Sequence, residues 1–216
     1  MSSRSTQPTN ADERLWARKR RAILAAAATV FLRKGYRGTS MDEVAALASV
    51  SKQTVYKHFT DKERLFAEIV AATVEEVSDP VHEIVLHLDE SGDLESGLRD
   101  LARRQLAMVM QPRLLQLRRL VIGEAARFPE LGRTFYERGP QRTINALADV
   151  FAQLAHGGAL DIDDPRLAAA HFNWLVMSIP LNQAMLRGTD EPASPEELDR
   201  YADAGVHAFL RAYARR

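Results

Sequence analysis

From Arg18 onward the apolar residues Ile23, Ala27, Val30 and Phe31 recur at i, i+4, i+7 and i+8, the stripe of an amphipathic helix, and Gly35 supplies its stop. A second short helical pattern runs from Met41 to about Ala48. Ser40 followed by Glu43 fits a capping box for it, in which each side chain bonds the other's backbone amide. Ser51 caps a third helix ending at His58, and Thr60 with Glu63 predicts a second capping box. That box opens a longer helix, expected from Asp61 to about Val77. The rest of the chain also reads as helices, divided by prolines suited to a first helical turn: Pro80, Pro112, Pro140, Pro165 and Pro195. No segment sustains period-two alternation. The expected fold class is all-α, with roughly nine or ten helices.

Composition adds bounds. The chain has 216 residues and no cysteine, which excludes disulfides, thiolate metal sites and a thiol nucleophile. Residues 1–14, rich in Ser, Thr, Asn, Gln and Pro, read as a disordered leader without the apolar run of a signal peptide, so a cytoplasmic protein is expected. The longest apolar stretches fall short of the roughly 20 residues of a membrane span, and no membrane partner is expected. The formal net charge is zero, yet residues 1–66 hold 13 Lys or Arg against 6 Asp or Glu, and the remainder 16 against 23. A segment of charge +7 in an otherwise acidic chain suits an anionic polymer.

The pattern around "ASVS" explains that segregation. Val44, Val50, Val55 and Phe59 are apolar, Ala45 is small where two helices cross, and the short turn between the patterns makes a helix-turn-helix. Its second helix lays N-terminal residues in the major groove, so its exposed positions should be donors and acceptors. Ser51, Lys52, Gln53, Thr54, Tyr56, Lys57 and His58 meet that need. Tyr56, Lys57 and Lys62 suit phosphate oxygens, Gln53 can pair bidentately with adenine, and the Thr54 methyl can meet thymine. Thr39 and Ser40 join the candidate interface at the start of the first helix of the pair. The run Arg18 to Arg21 either reaches the adjacent backbone or minor groove or is an ordinary charged helix start, with Arg18 and Arg21 the candidate contacts.

The segment "ILAAAATVFLRKGYRGTSMDEVAALASVSKQTVYKHFTDKERLF" resembles the DNA-binding domain of the TetR/AcrR family of one-component bacterial regulators. The usual pattern of that family has Gly where this chain has Ser49, and a turn requiring positive φ would strain a serine. The segment "LRRLVIGEAARFPELGRTFYERGPQRTINALADVF" resembles the AefR-like C-terminal type. The resemblance implies a three-helix DNA-binding domain at 15–66, joined by a connecting helix to a ligand-binding and dimerisation domain at 67–216. It also implies a homodimer on palindromic double-stranded DNA, released by a small-molecule inducer and commonly acting as a repressor.

In the second domain, "DPRLAAAHFNWLVMSIPL" is apolar on more than one face and must be covered on both sides. The last helix carries Leu198, Tyr201, Gly205 and Phe209 on one stripe, with small Ala204, Gly205 and Ala208. These two helices are expected to meet their copies in a four-helix interface, with Phe172, Val176, Tyr201, Gly205, Ala208 and Phe209 at the contact. An inducer cavity is expected among Met108, Arg118, Phe135, His171, Trp174 and Met177. An enzyme is not expected: there is no Gly-rich phosphate loop, GxSxG or HExxH. In "HEIVLH", His82 and His87 lie five apart and off one helical face, so no metal and no cofactor is expected. The alternative is an architectural DNA-binding dimer without small-molecule input.

Overall fold

The computed structural model describes residues 10–86, 93–187 and 193–215. The His87 of the histidine string and residues 1–9 of the expected leader lie outside them, as does the side chain of His82. Among the described residues there are ten α-helices and no strand, with one isolated bridge between Leu160 and Ala214. In chain order they are α1 Asn10–Gly38, α2 Met41–Leu47, α3 Lys52–His58, α4 Lys62–Leu86 and α5 Leu94–Val109. There follow α6 Pro112–Glu124, α7 Pro129–Tyr136, a π-helical turn Glu137–Gln141, α8 Arg142–His156, α9 Pro165–Leu186 and α10 Pro195–Tyr213. No described helix is long and apolar enough to cross a membrane. The chain divides into two compact units, Met1–Val70 and Ala71–Arg216.

In the first unit α1 starts at Asn10, inside the segment read as a leader, and breaks at Gly35 (φ 72, ψ 177), a conformation only glycine adopts freely. Ile23, Val30, Phe31, Val44, Val55, Phe59, Leu65 and Phe66 form the core, with the Phe31 and Phe66 rings 4.9 Å apart. Burying each such side chain contributes about 1.5–3 kcal/mol, which is how helices as short as α2 and α3 persist.

Neither predicted capping box closes. Ser40 caps α2 by accepting from Glu43 N at 3.2 Å, but the Glu43 carboxylate turns to Arg33 (2.5 Å) and Lys34 (2.8 Å) instead of returning to Ser40. At α4 the cap is Asp61, whose Oδ1 accepts from Arg64 N at 2.7 Å, and not Thr60. A carboxylate also meets the positive end of the helix dipole, which a neutral hydroxyl does not. Of the prolines, Pro112, Pro165 and Pro195 open helices as expected, and Pro129 does so too. Pro80 lies inside α4, which continues past Val77 to Leu86, and Pro140 lies inside the π turn. A helix tolerates an internal proline when packing on either side outweighs the one lost bond.

The core of the second unit is built by α5, α8, α9 and α10. Phe151, Phe172 and Phe209 are fully buried, with centroids 5.0 Å apart for Phe151 and Phe209 and 5.3 Å for Phe172 and Phe209. A Cβ on Gly205 would stand 3.0 Å from Val176 Cγ2 and 3.1 Å from the Leu175 main chain, so this glycine lets α10 close on α9 of its own chain. The expected dimer contacts are corrected accordingly: Phe172, Val176, Gly205 and Phe209 are consumed by the core of one chain. Tyr201 is half-buried and bonds Gln183 and Glu197, and Ala208 is exposed.

Candidate nucleic-acid interface and cavity

Between α2 and α3 the chain turns on Ser49, with φ 54, the one non-glycine residue of positive φ among those described. Val50 N bonds Ala45 O at 3.1 Å and Ser49 N bonds Ala46 O at 3.2 Å, the paired closure of a helix end that normally places glycine in the left-handed position. Ser49→Gly should therefore raise the stability of this unit by about 0.5–1 kcal/mol, read as a higher denaturant midpoint with unchanged slope.

Helix α3 is capped by Ser51, which accepts from Thr54 N at 3.1 Å and pairs with the Thr54 hydroxyl at 2.8 Å. Gln53, Tyr56 and Lys57 are exposed, and their spacing of i, i+3 and i+4 puts them on one face. Lys52 is exposed too, held 2.7 Å from Asp42 of α2, and the hydrogen bond it donates to the Asp42 carboxylate raises its pKa. Arg18, Arg21 and Ser40 are exposed. Thr54 is half-buried against Ser51.

Three expected contacts are engaged elsewhere. Thr39 is 3% exposed and donates its hydroxyl to Gly35 O at 2.8 Å, so it staples the broken end of α1. Lys62 donates to Tyr36 O at 2.9 Å and Thr39 O at 3.0 Å, with its ammonium 4.6 Å from the Tyr36 ring centroid. Two of its three donors thus hold the α1–α2 joint. His58 is half-buried with its ring 4.6 Å from that of Trp16. Burial first, then the Arg20, Lys19 and Lys57 cations, lower its pKa, leaving a neutral ring at pH 7 with no charge for a phosphate. Lys62→Met should cost about 1–3 kcal/mol by removing the charged donor shared by two carbonyls, Tyr36 O keeping the 3.4 Å bond from Thr39 N, measured by thermal melting, while leaving the salt dependence of DNA binding unchanged.

Two partners of the basic run escaped the sequence reading. Arg20 pairs with Glu68 at 2.7 Å and lies 5.5 Å over the Phe59 ring, so the basic run is partly structural.

In the second unit a cavity is lined by Arg118, Phe135, Trp174 and Met177 of the expected set, together with Gln105 and Asn173. Met108 lines a separate depression beside Gln111 and Arg113. His171 is exposed and bonded to the Tyr213 hydroxyl at 2.5 Å, so it is not a cavity residue. Gln105 (4% exposed) donates to Asn173 (3% exposed) at 3.0 Å, and its Oε1 finds no donor among the described residues. The Arg118 guanidinium sits 5.0 Å over the Phe135 ring, and burial lowers its pKa, though a guanidinium keeps its proton at neutral pH. Gly139 of the π turn closes on Val74 of α4, where an added Cβ would lie 3.1 Å from Val74 Cγ1. Arg138 meets Glu75 at 2.5 Å, and Arg142 pairs with Asp79.

A compact three-helix unit with a capped, polar-faced third helix defines a helix-turn-helix DNA-binding regulator. Residues 23–69 match the bacterial regulatory proteins of the tetR family, and residues 96–215 match the AefR-like transcriptional repressor C-terminal domain. The crystal structure of a TetR-family transcriptional regulator from Mesorhizobium loti MAFF303099 is 46% identical, with TM-score 0.87 over 93% of this chain and 98% of that one. The flavonoid-responsive regulator FrrA is 33% identical, with TM-score 0.72 over 93% and 99%. The HTH-type regulator YhgD of Bacillus subtilis strain 168 is 42% identical over 65 residues, which span only 30% of this chain and 34% of that protein. The chain belongs to the TetR family of transcriptional regulators.

Proposed function

We propose that this protein is a repressor that binds a palindromic operator as a homodimer and is released by a small molecule. The observation that carries the reading is the exposed Gln53, Tyr56 and Lys57 face on a helix whose other side is buried through Val55. Such a face supplies one bidentate base reader and two phosphate partners. The AefR-like repressor match supports the sign of regulation, and FrrA, a flavonoid-responsive regulator, supports a ligand input.

The dimer contact is reassigned to the outer side of α9. Leu167, Leu175, Ile179 and Leu186 are large, apolar and exposed, and Ala204, Ala208 and Ala212 form a small exposed stripe on α10. An apolar face of this extent marks an interaction site, and a second copy covers it by two-fold symmetry. The cavity reaches α4 at Val74, and the same helix begins at Lys62 within the DNA-binding unit. A ligand that displaces α4 then alters operator affinity, and a coupling of about 1–3 kcal/mol, or about 5- to 150-fold, makes a useful switch.

The test is selection of bound fragments from a random DNA pool by the full-length protein. An approximate palindrome should emerge, with half-sites about one helical turn apart or more. On that site Gln53→Ala should cost about 1–3 kcal/mol and relax preference at one base pair. Enrichment with no common sequence would identify an architectural protein instead.

A further inference from the structure

We propose that the cavity beside Arg118 binds a planar aromatic carboxylate that also carries a hydroxyl group. The inference rests on the ligand-responsive reading above and gives it a chemical class.

Arg118 makes no ion pair or hydrogen bond among the described residues, and its Nε is buried without an acceptor. Arg118 is half-buried, and a cation partly withdrawn from water is normally paired, because losing solvent is costly unless an anion or acceptors replace it. Stacking over Phe135 offsets part of that cost and leaves the in-plane N–H edge to be satisfied. Among the described residues Arg118 is the sole ionisable side chain on the cavity wall. One cation suits one negative charge, which favours a carboxylate over a doubly charged phosphate. Phe135, Trp174 and Met177 supply flat, apolar walls for a ring.

The second polar requirement comes from Gln105. Its amide nitrogen is committed to Asn173 while Oε1, deep in the wall, lacks a donor among the described residues. Buried acceptors in this situation are met by a ligand or water, and a ligand hydroxyl donates there. The two groups ask for opposite chemistry, an anionic acceptor at Arg118 and a donor at Gln105. A phenolic acid offers both on one rigid frame.

The test is calorimetry of the full-length protein with 4-hydroxycinnamate, with cinnamate, and with 4-hydroxycinnamamide, whose head group is neutral. The hydroxy acid should bind tightest, and the amide about 10- to 100-fold more weakly, the worth of a hydrogen bond to a charged group. Arg118→Gln should lower affinity for the acid by a similar factor and leave the amide unchanged, while Arg118→Lys recovers part of the loss with the fold monitored by circular dichroism. Gln105→Leu should erase the difference between 4-hydroxycinnamate and cinnamate. Equal binding of acid and amide overturns the proposal, as does binding of none of the three. A parallel thermal-shift screen of neutral and cationic metabolites separates the two readings. Hits there alone overturn the aromatic acid and leave ligand response standing, whereas no hit anywhere removes both.

Discussion

Ile179→Asp should convert the protein to monomers and lower its apparent operator affinity by about 10²- to 10⁴-fold, the advantage that linking two half-site binders confers. Ile179 is 53% exposed, near the middle of the outer stripe of α9, and makes no part of the chain's own core. An aspartate there costs the folded monomer little, since surface substitutions away from packed features stay within about 0.5 kcal/mol. In a two-fold contact the same change appears twice and puts two carboxylates into an apolar interface. Light scattering should report the halved mass, and fluorescence anisotropy on a single half-site should show residual weak binding. A variant that stays dimeric with wild-type operator affinity would remove α9 from the interface.

The second large effect lies one layer inward. Phe209→Ala should destabilise the second unit by about 3–5 kcal/mol, lowering its melting temperature by roughly 10 °C for a unit of this size. The Phe209 ring is fully buried and lies within 5.3 Å of the Phe151, Phe172 and Tyr213 centroids. Performed in the Ile179→Asp background, the measurement separates core from interface. A loss of equal size in the monomer places Phe209 in the single-chain core, and a loss seen only in the dimer would return it to the contact between copies.

These two residues show where the sequence was legible and where it was not. Period-3.6 stripes identified α1 and the helix-turn-helix pair because one face of each is apolar and the other polar. Helix α9 has apolar residues all round, so its pattern could say that both sides are covered but not which side faces the chain itself. Only the neighbours decide that, and Gly205 closing on the buried Val176 decides it here. The strain at Ser49 was readable, since a turn of that form calls for glycine. Lys62 and Thr39 were misread for a different reason. Their side chains are long or polar enough for DNA, and the carbonyls they hold in place belong to residues 26 and 4 positions away in sequence. Gln105 and Asn173 left a trace that went unused: each sits at a buried position of an otherwise apolar stripe, Leu98, Leu101, Ala102, Leu106 for one and Ala169, Phe172, Val176 for the other. A polar side chain in such a register is an interior hydrogen-bonding group.

The π turn between α7 and α8 carries a consequence for the whole rod Pro129–His156. Its buried residues Leu131, Phe135, Gly139, Thr143 and Leu147 recur every four positions. On a regular helix each such step drifts about 40°, so the four steps would spiral off the contact surface. The wider turn at Glu137–Gln141 resets the phase. Rewinding that turn as regular α-helix with every residue kept would rotate everything before it by about 100°. Phe135 would swing off the cavity wall while α8 kept its place, a frameshift in three dimensions that leaves helical content almost untouched.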